Sequence, residues 1–157
     1  MKRDIGALKD FQTFNVILFY GVQNRAGTAS FRPARVSANL DNKHAFNAWI
    51  DEQRTGFGSD PRPAVKLAIG QRPQAIVFMS DGRFENSYID ELTQANARLK
   101  AQFVCFLFDE AKFGDRSRLP PTVDDSGRRL QRLAEQNKGR ETKAVFKIVT
   151  GKDVYGG

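Results

Sequence analysis

Gln74-Ala75-Ile76-Val77-Phe78-Met79-Ser80-Asp81-Gly82 is the stretch on which the reading of this 157-residue chain turns. Five consecutive apolar residues, Ala75 to Met79, include the β-branched pair Ile76 and Val77 and end at Ser-Asp-Gly. The run is too short for a core helix and suits a buried strand, after which Gly82 lets the chain turn sharply. Working outward, Gln102 to Phe108 is a second continuous apolar run and Val145 to Val149 a third. Between them Ser87 and Asp90 suggest a capped helix carrying Ile89, Leu92 and Leu99 inward. Leu130, Leu133, Ala134 and Asn137 mark another helix, closed by Gly139.

Upstream, Pro61 and Pro63 suit the first turn of a short helix with Ala64, Leu67 and Ala68 on its apolar side. Asp41 is a candidate N-cap for a helix burying Ala45, Phe46, Trp49 and Ile50, with Gly56 as its stop. Phe14 to Tyr20 reads as a buried strand, and Phe31 to Val36 as an edge strand because of Pro33. Strands apolar throughout are covered on both faces, and their alternation with helices implies βαβ units. The expected fold is therefore α/β: a doubly wound, mostly parallel open sheet with helices on both faces. A single domain over residues 1–157 is expected, its core lying between about 8 and 150.

Composition narrows the function. Hydrophobic residues make up 40% and charged residues 27%, a foldable mixture. No apolar run approaches the ~20 residues of a membrane span, and no signal peptide is visible behind Met1, so the expected location is cytoplasmic. One cysteine, Cys105, excludes an internal disulfide framework and a Cys-rich zinc site. Its apolar strand suggests an inert buried thiol. The net charge of +7 is concentrated after Glu110, in Arg116, Arg118, Arg128, Arg129, Arg132, Lys138, Arg140 and Lys143. Such an excess supports polyanion or nucleic-acid binding, or else a solvated basic helix face. His44 is the only histidine, and no catalytic triad or His-metal arrangement can be built around it. No enzyme activity is expected.

Functional residues of a doubly wound sheet collect at the carboxyl ends of its strands. There stand Ser80-Asp81-Gly82-Arg83, Asp109-Glu110, and the loop Gly56-Phe57-Gly58-Ser59-Asp60-Pro61 before a helix. Hydroxyls and carboxylates are the hard oxygen ligands that Mg²⁺ prefers. Singly, Asp81 could equally be a turn-forming residue, and Ser59 or Asp60 an N-cap. Together, these segments resemble the von Willebrand factor A domain. The likeness is carried by Phe14 to Phe19, Gly56 to Val65, Ile76 to Gly82 and Leu130 to Gly139, in that order.

The resemblance implies a Rossmann-like fold and a metal-ion-dependent adhesion site, at which a partner protein's carboxylate completes the coordination. Ser59 stands where the family has a threonine and Asp81 where it has its last aspartate. Gly58, Asp60, Gly82 and Asp109 are neighbouring candidates for the binding surface. The family's Asp-x-Ser-x-Ser run does not occur, and no strand precedes Phe14. The chain thus reads as a domain truncated at its N-terminus, with Met1 to Gln12 as the tail of the following helix and whether Met1 is the true start left open. Its adhesion site would be incomplete, holding Mg²⁺ or Mn²⁺ weakly at best. The expected function is a non-enzymatic protein-interaction module. Loss of a central strand also leaves an open edge that favours self-association.

Overall fold

The computed structural model describes residues 1–22, 25–53, 60–108, 125–139 and 143–149, with the backbone alone at 21, 22, 25 and 26. The chain divides into two compact units, Met1–Leu67 and Ala68–Gly157. The first contains α1 (Lys2–Gly6), β1 (Thr13–Phe14), β2 (Ile17–Val22), β3 (Arg25–Ser30), β4 (Val36–Ser37) and α2 (Leu40–Asp51). α3 (Arg62–Gly70) carries the chain into the second, which contains β5 (Ala75–Ser80), α4 (Asn86–Asn96), β6 (Gln102–Phe108), α5 (Asp125–Gln136) and β7 (Val145–Val149).

In the first unit β1 pairs antiparallel with β4, Phe14 opposite Val36, and β2 pairs antiparallel with β3, from Ile17 opposite Ser30 to Val22 opposite Arg25. These are separate two-stranded sheets. The apolar run from Phe14 to Tyr20 is broken because Asn15 competes for the backbone. Its Oδ1 accepts from the N–H groups of Val16 and Arg32, and its Nδ2 donates to Ser30 Oγ and the Arg32 carbonyl. Residues 31–34 bend rather than extend. Phe14, Phe31 and Phe46 stack or meet edge-on at 5.7–5.9 Å, with Trp49 5.6 Å from Phe31. α2 is capped by Asn39, whose Oδ1 accepts from Asn42 N at 2.9 Å, so Asp41 falls in the first turn instead.

The second unit is a three-stranded sheet ordered β5-β6-β7, parallel throughout, with Val77, Val104 and Val145 in one row. α4 and α5 supply the two crossovers. Ile89, Leu92, Leu130, Leu133 and Ala134 are each 0% exposed, as are Phe103 and Cys105 from the strand between them. A polar knot ties the helix ends to the start of β6. Asn96 Nδ2 donates to the Ala101 carbonyl at 2.8 Å and to Asn137 Oδ1 at 2.9 Å, while Asn96 Oδ1 accepts from Ala101 N at 3.0 Å. Asn137 Nδ2 donates to Thr93 Oγ1 and to the Leu133 carbonyl. Every polar atom buried there has a partner, as low-dielectric surroundings require.

This architecture corrects the doubly wound, mostly parallel expectation, and with it the Rossmann-like, N-terminally truncated von Willebrand factor A reading. The strands of the first unit pair antiparallel in sheets of their own. In the second unit the order β5-β6-β7 runs in one direction only. α4 and α5, the two crossovers, pack against each other and so lie on the same face of the sheet. Helices come to both faces only where strand order reverses, and this sheet has no such switch point. Among the described residues no helix is long and apolar enough to cross a membrane.

Candidate functional site

Asp81, a proposed ion ligand, and Asp60, a candidate for the surface beside it, are both engaged locally. Asp60 Oδ1 accepts from Arg62 N at 2.9 Å, and its carboxylate receives the Arg62 guanidinium through Nε and through Nη2 at 2.7 Å. That hydrogen bonding, against a smaller opposing effect of burial, holds the Asp60 carboxyl below its ordinary range. Asp81 repeats the pattern more loosely. Its Oδ1 accepts from Arg83 N at 3.0 Å, and Oδ2 lies 3.9 Å from Arg83 Nε. Both are Asp-x-Arg turns, which is the structural role of an Asx residue.

Gly82 completes the second turn with φ +72, and a Cβ there would lie 2.5 Å from the Ser126 carbonyl oxygen. Ser80, 9% exposed, uses its Oγ to accept from Gly82 N at 3.1 Å. Gly58, Ser59 and Asp109 lie outside the described residues. Asp60 belongs to the first unit, and Asp81 and Gly82 to the second.

Among the described residues no group of three or more His, Cys, Asp or Glu side chains is arranged to hold a metal ion. Of the two proposed ligands only Asp81 lies among the described residues, and one carboxylate falls short of the roughly six oxygens that Mg²⁺ takes. The metal-ion-dependent adhesion site, and an interaction function working through it, are therefore overturned. The basic helix face also proves partial. Arg132 is paired with Asp90 at 2.6 Å, and Arg129 is half-buried with its Nε enclosed; Arg116, Arg118 and Arg140 lie outside the described residues. His44 is exposed on α2, and Cys105, fully buried, has its thiol pushed up to about 12 by desolvation.

The unusual feature of the second unit is instead the outer side of β5. The Gln102 N–H donates to the Gln74 carbonyl at 3.0 Å, which sets the phase of the β5–β6 ladder. The backbone groups of Gln74, Ile76, Phe78 and Ser80 turn toward β6, and those of Ala75, Val77 and Met79 turn outward. No strand pairs with that outer edge among the described residues. The same three residues share the sheet face opposite α4 and α5. Burial alternates along β5, where Ile76 and Phe78 are covered, Ala75 is exposed and Val77 is 60% exposed.

Val104, Phe106 and Phe108 of β6 are half-buried on this open face, and Met79 and Phe106 are direct neighbours. Natural edge strands are commonly blunted by a charge, a proline or a bulge. β7 has such a device in the exposed Lys147, whereas Ala75 to Ser80 contains no charge, proline or glycine. Sequence reasoning placed β5 but missed its exposed side.

A scan against protein-family models finds none that matches this chain, and a search of curated proteins finds no match.

Proposed function

We propose that the chain is a non-catalytic binding module that takes an extended apolar strand from another polypeptide on the outer edge of β5. The observation that carries this is the coincidence of outward-turned backbone groups on Ala75, Val77 and Met79 with apolar side chains that are exposed at Ala75 and Val77 and half-buried at Met79. Strand addition of this kind draws affinity from main-chain hydrogen bonds and selectivity from alternate side chains. The open face beside the edge supplies apolar area at Val104 and Phe106. The Asp-x-Arg turn at Asp81 to Arg83 closes the far end of the strand and fixes where an added segment must stop.

The test is a titration of the labelled full chain with a synthetic peptide of alternating valine and threonine flanked by lysines, followed by amide NMR. Binding shifts the amides of Ala75, Val77 and Met79 and slows their hydrogen exchange. The same peptide N-methylated at alternate residues has no effect. Unchanged β5 amides at saturating peptide, or equal binding of the N-methylated form, would refute strand addition.

A further inference from the structure

Basic residues that stand far apart in the sequence are gathered by the fold at the amino edge of the β5-β6-β7 sheet. The connections into the three strands converge there. The Gln102 N–H donates to the Gln74 carbonyl at 3.0 Å and the Phe103 N–H to the Asn137 carbonyl at 2.7 Å, while a Cβ on Gly139 would lie 3.0 Å from the Lys100 carbonyl oxygen. Lys143 stands two residues before β7, whose first residue pairs with Val104. Residues 71–74, 97–101, 137–139 and 143–144 carry Arg72, Arg98, Lys100, Lys138 and Lys143, all exposed, and no Asp or Glu. None of the five has an ion-pair partner among the described residues, whereas Arg83 and Arg132 of the same unit lie against Asp81 and Asp90. The carboxyl ends of α4 and α5 reach this edge, but their dipoles amount to about −0.5 charge each and leave about four of the five positive charges unanswered.

Backbone conformation adds a second observation. Arg72 and Lys100 hold φ of +51 and +54, in the left-handed region that disfavours a side chain. The third connection fills its left-handed position with Gly139, at φ +67, the residue such positions favour. Two connections of the three thus keep a long cation where glycine would be relaxed, and strain of this kind is retained at functional sites. We infer that this rim binds duplex nucleic acid through its phosphates and without reading sequence, a property that does not rest on strand addition at β5. Strands about 4.8 Å apart make the rim about 10 Å wide, and that length of duplex offers about three phosphates on each strand. The four segments contain no Phe, Tyr, Trp or His on which an unpaired base could stack, which favours a duplex over a single strand.

The test is fluorescence anisotropy of a labelled DNA duplex of about 20 base pairs, titrated with the full chain from about 50 to about 200 mM KCl. Three to five phosphate contacts give log K against log salt a slope of about −3 to −4.5. A duplex of unrelated sequence binds equally. Arg72→Asn combined with Lys100→Asn removes two charges with a residue that tolerates positive φ; the slope becomes shallower by about 2 and affinity at the lowest salt falls about tenfold or more. Arg98→Gln combined with Lys138→Gln, which alters no left-handed residue, does the same. Arg128→Gln combined with Lys147→Gln removes the same net charge from exposed positions off the rim and leaves slope and affinity within about twofold of wild type. Absence of binding at the lowest salt, or an equal loss in the off-rim pair, overturns the inference. So does tighter binding of the single strand, or competition by polyglutamate that matches unlabelled duplex charge for charge.

Discussion

Asn96→Ala tests the polar knot of the second unit directly. Asn96 is 3% exposed and Ala101 1% exposed, and the side chain of the first holds both the N–H and the carbonyl of the second. Truncation leaves those two buried backbone groups without their partner, at a cost of about 1–3 kcal/mol each, and removes one donor from Asn137 Oδ1. Alanine recovers roughly 0.6 kcal/mol through better helix propensity at the end of α4. The net loss is then about 1.5–5 kcal/mol. In urea, with m near 2 kcal/mol/M, the midpoint of the second unit falls by about 0.7–2.5 M.

The assay is urea unfolding followed by hydrogen exchange of the β6 amides, which belong to this unit alone. Asn96→Asp sharpens the result. The carboxylate keeps the acceptor toward Ala101 N but, having no donor, sets an anionic acceptor against the Ala101 carbonyl and Asn137 Oδ1. Its folded pKa is raised, so the variant is closest to wild type in acid and loses stability as pH rises through the carboxylate range. A loss under about 1 kcal/mol for Asn96→Ala, or an Asp variant indifferent to pH, would show that the knot does not hold the unit together.

Three further outcomes are expected. Gly82→Ala places a side chain at φ +72, which alone costs about 1–2 kcal/mol, and drives its Cβ against the Ser126 carbonyl; urea unfolding should show a loss above that range. Cys105 is not alkylated by iodoacetamide in the native state, even at pH 9, because burial keeps its thiol protonated up to about 12; mass spectrometry should detect modification only in denaturant. Asp60 has a folded pKa lowered by Arg62, so its contribution is present above the unfolded carboxylate value and lost as pH falls through the folded one. Asp60→Asn is thus less stable than wild type at pH 7, and urea melts of the two converge in strong acid.

The strands of the second unit were legible because parallel strands are written as uninterrupted apolar runs. Gln102–Phe108 and Val145–Val149 coincide with their runs to the residue, and β5 begins one residue after Gln74. What local pattern cannot carry is strand order, which depends on pairing between segments distant in the chain. The expectation of cover on both faces failed at Val77 for that reason. In the first unit, side chains overruled the apolar pattern: Asn15 took hydrogen bonds with three backbone groups, of Val16 and Arg32, and Asn39 capped α2 in place of Asp41. Of the proposed residues, Asp81 was assigned to an ion by the resemblance and Asp60 to the surface beside it. The arginine two places after each, visible in the sequence, is the partner that the structure gives it.

Trp49 is the chain's single indole, and it lies against Phe31 and Phe46 within the first unit. Its fluorescence therefore reports the melting of that unit and is silent about the other. A chain whose emission and circular dichroism fail to change together would reveal, without any label, that the two cores come apart at different points.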